Sequence, residues 1–164
     1  MVNESQGSSS RPNAGAIGSS STTRSRRHAI PEEDATKLQF GDFAEGEALT
    51  LTEVATLLVA ARAAPNVPPA PDNKTYKSTS EYVNEFQNAS MEVSESMRTA
   101  LMARPGFLNK FEIAQIMYLK PERVEVAVAL IPSLERYSQG DEQESQLQQL
   151  LDDVRGMARY GVRP

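Results

Sequence analysis

Cysteine and tryptophan are absent from the 164 residues, and histidine occurs once, at His28. Without cysteine there is no disulfide, no thiolate nucleophile and no zinc–sulfur centre. The absence fits a reducing compartment. A general base must be held rigidly against its substrate, and His28 lies in a stretch too polar to pack, so Ser–His–Asp chemistry has no base to draw on. GxGxxG and Walker-type phosphate loops are missing. Asp152 and Asp153 are adjacent, so on a helix they point to different sides and make a poor carboxylate pair for acid–base work or metal binding. No catalytic residue, metal ligand or cofactor site is therefore assigned, and the expectation is a non-enzymatic chain. No apolar run reaches the roughly 18 residues that a membrane span needs, and the first residues lack the apolar stretch of a secretory leader. Hydrophobic residues make up 39%, below the usual globular share, so part of the chain is expected to have no core of its own.

The formal net charge is −5, but it is unevenly placed. Arg11, Arg24, Arg26 and Arg27 fall in the first thirty residues against Glu4 alone, which leaves the remainder more acidic than the total. A duplex-binding domain needs a basic face to displace counterions from phosphates, and an acidic body argues against one. Residues 1–35, rich in Ser, Gly, Asn, Thr and Arg, are expected to form a disordered basic tail, because they hold too few apolar side chains to offset the entropy of ordering. The Arg24–His28 cluster has the composition of a nuclear-import signal.

Beyond the tail the pattern is helical. Leu38-Gln39-Phe40, ended by Gly41-Asp42, reads as a short extended segment, and an isolated strand needs a sheet edge that this chain does not offer. A partner's sheet is the natural host. Thr50-Leu51-Thr52-Glu53 is a capping box, a hydroxyl at the N-cap and a carboxylate three residues on. The helix behind it is apolar on more than one side, so two faces should be covered. Four prolines between Pro65 and Pro71 make a spacer, assigned to 65–77. Ser78–Glu81 reads as a second capping box. A third helix carries Met91, Val93, Met97, Leu101 and Met102, and Asn109 with Glu112 caps a fourth. Pro121 suits the first position of a fifth helix, which Pro132 ends or kinks. Leu147, Leu150, Leu151 and Val154 form the apolar stripe of a last helix opening at Asp141. Phe86, Phe111 and the methionines Met91, Met97, Met102 and Met117 are expected in the core.

The run from Lys110 to Glu135, with Phe111-Glu112-Ile113-Ala114-Gln115, the Leu119-Lys120-Pro121-Glu122 turn and the ending Leu130-Ile131-Pro132-Ser133-Leu134-Glu135, resembles the signature of the fourth-largest subunit of eukaryotic RNA polymerase II. Leu147–Val154 is similar to that family's closing helix, Tyr82–Phe86 and Leu49–Val54 to its earlier ones, and Leu38–Gly41 to the segment before them. The likeness covers about residues 36 to 157, and the overall pattern resembles that of fungal members. Asn88-Ala89-Ser90 and Met117-Tyr118 depart from the family pattern.

The resemblance implies an all-α, HRDC-like helical bundle over 78–157 and a partner-binding segment with the first helix over 36–64, and leaves 158–164 as a tail. It implies a heterodimer with the seventh polymerase subunit, docked on core RNA polymerase II near the RNA exit path. Nascent RNA would be reached through the heterodimer. It also implies a nuclear role in transcription, with shuttling to the cytoplasm compatible with it. Leu38, Phe40, Leu51, Val54, Leu57 and Leu58 are the expected partner-binding residues. The rivals are the equivalent stalk subunit of RNA polymerase III and a free single-strand-binding module of the same fold. The second would need a basic face, which Lys110, Lys120, Arg123 and Arg136 do not make among so many acidic neighbours.

Overall fold

A computed structural model describes residues 34–63 and 65–160, so nearly all of the basic tail expected over 1–35 lies outside the described residues. These hold six α-helices, two 3₁₀ segments and no strand. The helices are α1 (Leu51–Ala63), α2 (Lys74–Phe86), α3 (Met91–Met102), α4 (Lys110–Leu119), α5 (Val124–Leu130) and α6 (Asp141–Tyr160). The 3₁₀ segments are Gly41–Phe43 and Pro132–Tyr137. The chain is an all-α bundle.

Local chemistry sets most of the boundaries. At the start of α1 the Thr50 amide donates to Glu53 Oε2 at 2.6 Å, and the Glu53 amide donates back to Thr50 Oγ1 at 3.4 Å. The two orphan donors of the first turn are thereby met reciprocally. At α4 the Asn109 amide donates to Glu112 Oε2 at 2.8 Å, and the Asn109 side chain receives the Phe111 amide at 2.9 Å. Lys120 closes α4 in the left-handed region, at φ +48°.

Two starts differ from the sequence expectation. Helix α2 begins at Lys74, not Ser78, because Asn73 accepts the Tyr76 amide at 2.7 Å and nothing between Lys74 and Lys77 interrupts a helix. Ser78 is consequently an interior residue of α2. Helix α5 begins at Val124, after Pro121, and its first amide is capped from outside. Gln148 of α6 accepts the Val124 N–H at 3.2 Å and donates to the Glu122 carbonyl at 3.0 Å. At the far end α6 continues to Tyr160, past the boundary expected at 157.

The core belongs to the last four helices. Met97 and Leu101 of α3, Ile113, Ile116 and Met117 of α4, Val124 and Ala127 of α5, and the α6 stripe Leu147, Leu150, Leu151 and Val154 bury one another around Leu134 and Tyr137. Fully burying each large aliphatic contributes about 1.5–3 kcal/mol. No side chain of α1 or α2 is part of this cluster. Those two helices pack on each other, with Ala55 and Val83 buried. Four residues expected inside stand outside this cluster: Phe86 is 47% and Met102 53% exposed, and Met91 and Phe111 are half-buried. Phe86 ends the hairpin outside the core, where its ring stacks on Tyr82 at 4.7 Å.

Candidate partner-binding face

Leu38 and Phe40 are half-buried on their own chain and join no ladder. The Phe40 ring meets Phe111 of α4 edge-on, with centroids 5.3 Å apart. Its backbone, at φ −98° and ψ −4°, turns into the 3₁₀ segment instead of continuing extended, and Gly41 follows at φ +52°, which only a residue without Cβ adopts freely. This differs from the extended stretch expected over Leu38–Phe40. The segment is fastened by a ring contact to α4.

Two grooves run from this point. One, of about 410 Å³, lies between the 3₁₀ turn and the start of α4, with Phe40, Phe43, Lys110 and Phe111 on its walls. Phe43 stands 82% exposed at its edge. The other, of about 260 Å³, is bordered by Leu49, Leu51, Tyr82, Phe111 and Tyr118. Phe111 forms a wall of both.

The six expected partner-binding residues therefore divide. Leu51 borders the second groove, whose other walls include Tyr82 of α2 and Phe111, Ala114 and Tyr118 of α4, and Leu58 lines a cleft with Tyr76 and Val83 of α2. Val54 is half-buried and Leu57 is 53% exposed, one turn apart on a neighbouring stripe. Phe40 sits against α4, and Leu38 is half-buried two residues before it. Leu49, Val59, Tyr82 and Phe86 add further exposed apolar surface.

Two charge clamps organise the surroundings, and neither was expected beyond its capping role. Glu53 is taken by Arg98 of α3, whose Nε and Nη2 donate to the two carboxylate oxygens at 2.6 Å each, while Nη2 also reaches the Ala48 carbonyl at 3.1 Å. Burial alone would push the Glu53 carboxyl up. The Arg98 hydrogen bonds and the Thr50 amide and hydroxyl outweigh it and hold the group below its ordinary value. Glu112, fully buried, is taken in the same way by Arg136, with Ser133 Oγ donating at 2.6 Å. The sequence signal for both is the capping-box glutamate. The arginine that answers it comes from a distant helix and is invisible to local spacing.

Among the described residues no helix is long and apolar enough to cross a membrane. Residues 48–158 match the family model described as RNA polymerase Rpb4. The chain belongs to the RNA polymerase Rpb4 family. The match takes in α1 to α5 and α6 up to residue 158, while Leu38 and Phe40 precede it. An Rpb4-type chain is a subunit of an RNA polymerase. The two departures from the family pattern, at Asn88–Ser90 and at Met117-Tyr118, meet in space: Asn88 Nδ2 donates to the Tyr118 carbonyl at 2.8 Å.

Proposed function

We propose that this chain is a non-catalytic subunit of RNA polymerase II that forms the stalk heterodimer with the seventh subunit, near the RNA exit path, and supports initiation and elongation in the nucleus. The observation that carries the reading is the α1–α2 hairpin. Leu49, Leu57, Val59, Tyr82 and Phe86 are 41–69% exposed on or beside it, and the hairpin lends no side chain to the core. Single exposed hydrophobics are ordinary, but several on one supersecondary unit cost hydration unless a partner covers them. An obligate interface buries on the order of 2,000 Å² or more. Leu57 and Val54 offer one stripe of it, and the grooves beside Phe40, Phe111 and Tyr82 offer the continuation. The part read as HRDC-like, over 78–157, takes in most of α2 and the helices from α3 to α6.

The Leu130–Glu135 ending favours the polymerase II branch over polymerase III. The test is affinity purification of the tagged chain from its own cells, with mass spectrometry of what accompanies it. Recovery of the seventh subunit and the large polymerase II subunits is the expected result. Polymerase III subunits in their place would move the chain to the sister enzyme, and recovery of nucleic acid without polymerase would refute the reading.

A further inference from the structure

We propose that the α1–α2 hairpin is a hinged arm that leaves and rejoins the α3–α6 body as one piece, held shut by a polar latch around Asn88, Tyr118 and Lys120. The inference concerns this chain alone and does not depend on which polymerase it serves.

Helices α1 and α2 pack on each other, and none of their side chains enters the core cluster of the body. Helix α1 also packs on α3, and to that contact a set of polar ties is added. The connection between α2 and α3 is stitched to the end of α4 by three hydrogen bonds. Asn88 Nδ2 donates to the Tyr118 carbonyl at 2.8 Å, Lys120 Nζ donates to the Asn88 carbonyl at 2.9 Å, and Tyr118 Oη donates to the Phe86 carbonyl at 3.1 Å. At the other end Thr52 Oγ1 donates to the Ala89 carbonyl at 3.1 Å, and Arg98 grips Glu53.

Such bonds exchange with water at modest net cost, because each group regains a solvent partner on opening. Burial of a shared apolar core has no such substitute, so the arm has a lower opening free energy than the body. The pivot is the stretch between the helices. Gln87 and Ser90 are both extended, at ψ 137° and ψ 161°, and bracket Asn88-Ala89. Rotation there carries α1 and α2 together, since their mutual packing at Ala55, Leu58 and Val83 is untouched. The Thr50–Glu53 cap also travels with the arm, so α1 keeps its first turn when Arg98 lets go.

Hydrogen exchange of the full chain, read by mass spectrometry on peptides from α1, α2, α4 and α6, tests this. The unaltered protein is compared with a latch variant carrying Asn88→Ala and Tyr118→Phe, which removes two of the three bonds and leaves the body's buried residues in place. The expected result is one common opening for α1 and α2, faster than that of α4 and α6. In the variant that opening should accelerate roughly tenfold while the α4 and α6 peptides keep their rates. Three results would overturn the proposal: equal protection of arm and body with equal acceleration of both, different openings for α1 and α2, or arm peptides exchanging at unprotected rates in the unaltered protein.

Discussion

Arg136 holds Glu112 with both terminal guanidinium nitrogens, one to each carboxylate oxygen at 2.6 Å, and the carboxylate so held is completely buried. The same glutamate caps α4 through the Asn109 amide and receives Ser133 Oγ. Arg136 in turn lies over the Tyr137 ring, 4.5 Å from its centroid. One side chain thus fastens the start of α4 to the 3₁₀ helix that follows α5. Removing the guanidinium leaves a carboxylate buried without its counter-charge.

The Arg136 side chain is half exposed but Glu112 is not, so Arg136→Met is expected to destabilise the chain by about 3 kcal/mol, the lower end of the cost of leaving a buried charge unpaired. Glu112→Gln combined with Arg136→Met should recover part of that loss, because glutamine still accepts the Asn109 amide and carries no charge. Urea denaturation of the two variants checks both the size and the sign of the coupling. A double variant less stable than Arg136→Met alone would contradict the account.

The second clamp gives a pH dependence. The folded-state pKa of Glu53 lies below its ordinary 4.5. A depressed carboxylate contributes stability that is present above the unfolded-state pKa and is lost as pH falls through the folded-state value. The loss belongs to the Glu53 carboxyl. Between about pH 6 and about pH 3 the Glu53 carboxyl should titrate late in NMR, below 4.5, with α1 and α2 amide signals changing alongside it. In a Glu53→Gln variant those amide changes should be absent. A Glu53 carboxyl that titrates at or above 4.5 would remove the clamp from the account.

Gln148 lends α5 a cap that the helix's own sequence lacks, for Arg123 makes no side-chain capping bond. Gln148→Ala should cost about 1 kcal/mol, as loss of a local N-cap does. Gln148→Glu keeps an acceptor for Val124 but sets an oxygen against the Glu122 carbonyl and Asp152, where Gln148 now donates, and so should recover little or nothing over Gln148→Ala. Thermal unfolding of the three proteins gives the order.

Much of this fold was legible before any coordinates. The Thr50–Glu53 and Asn109–Glu112 boxes and the stripe from Leu147 to Val154 each specify their structure within a few residues, because capping and helical periodicity are local. The starts of α2 and α5 were misplaced for two different reasons. Asn73, a strong cap, stands just beyond a proline-rich stretch that hides it. Gln148 acts from α6, which no local pattern reveals. Phe86 has the chemistry of a core residue, but its helix belongs to the hairpin. Leu38 and Phe40 read as a segment in need of a partner strand, and the ring of Phe111 supplies Phe40 with a contact from within the chain. Arg98 and Arg136 carried no signal in sequence, since a charged residue's partner is set by the tertiary fold.

The most direct test of the central claim is co-purification of the stalk partner with Leu57→Asp. Leu57 is 53% exposed and contributes nothing to the core, so the substitution should change the chain's own stability by no more than about 0.5 kcal/mol. Leu58→Asp is a poorer probe, because Leu58 packs toward α2 and its loss weakens the hairpin itself. If α1 presents this face to the stalk partner, the Leu57→Asp chain remains folded by circular dichroism and no longer retains the seventh subunit. Full retention of that subunit by a folded Leu57→Asp chain would contradict the account and move the interface elsewhere.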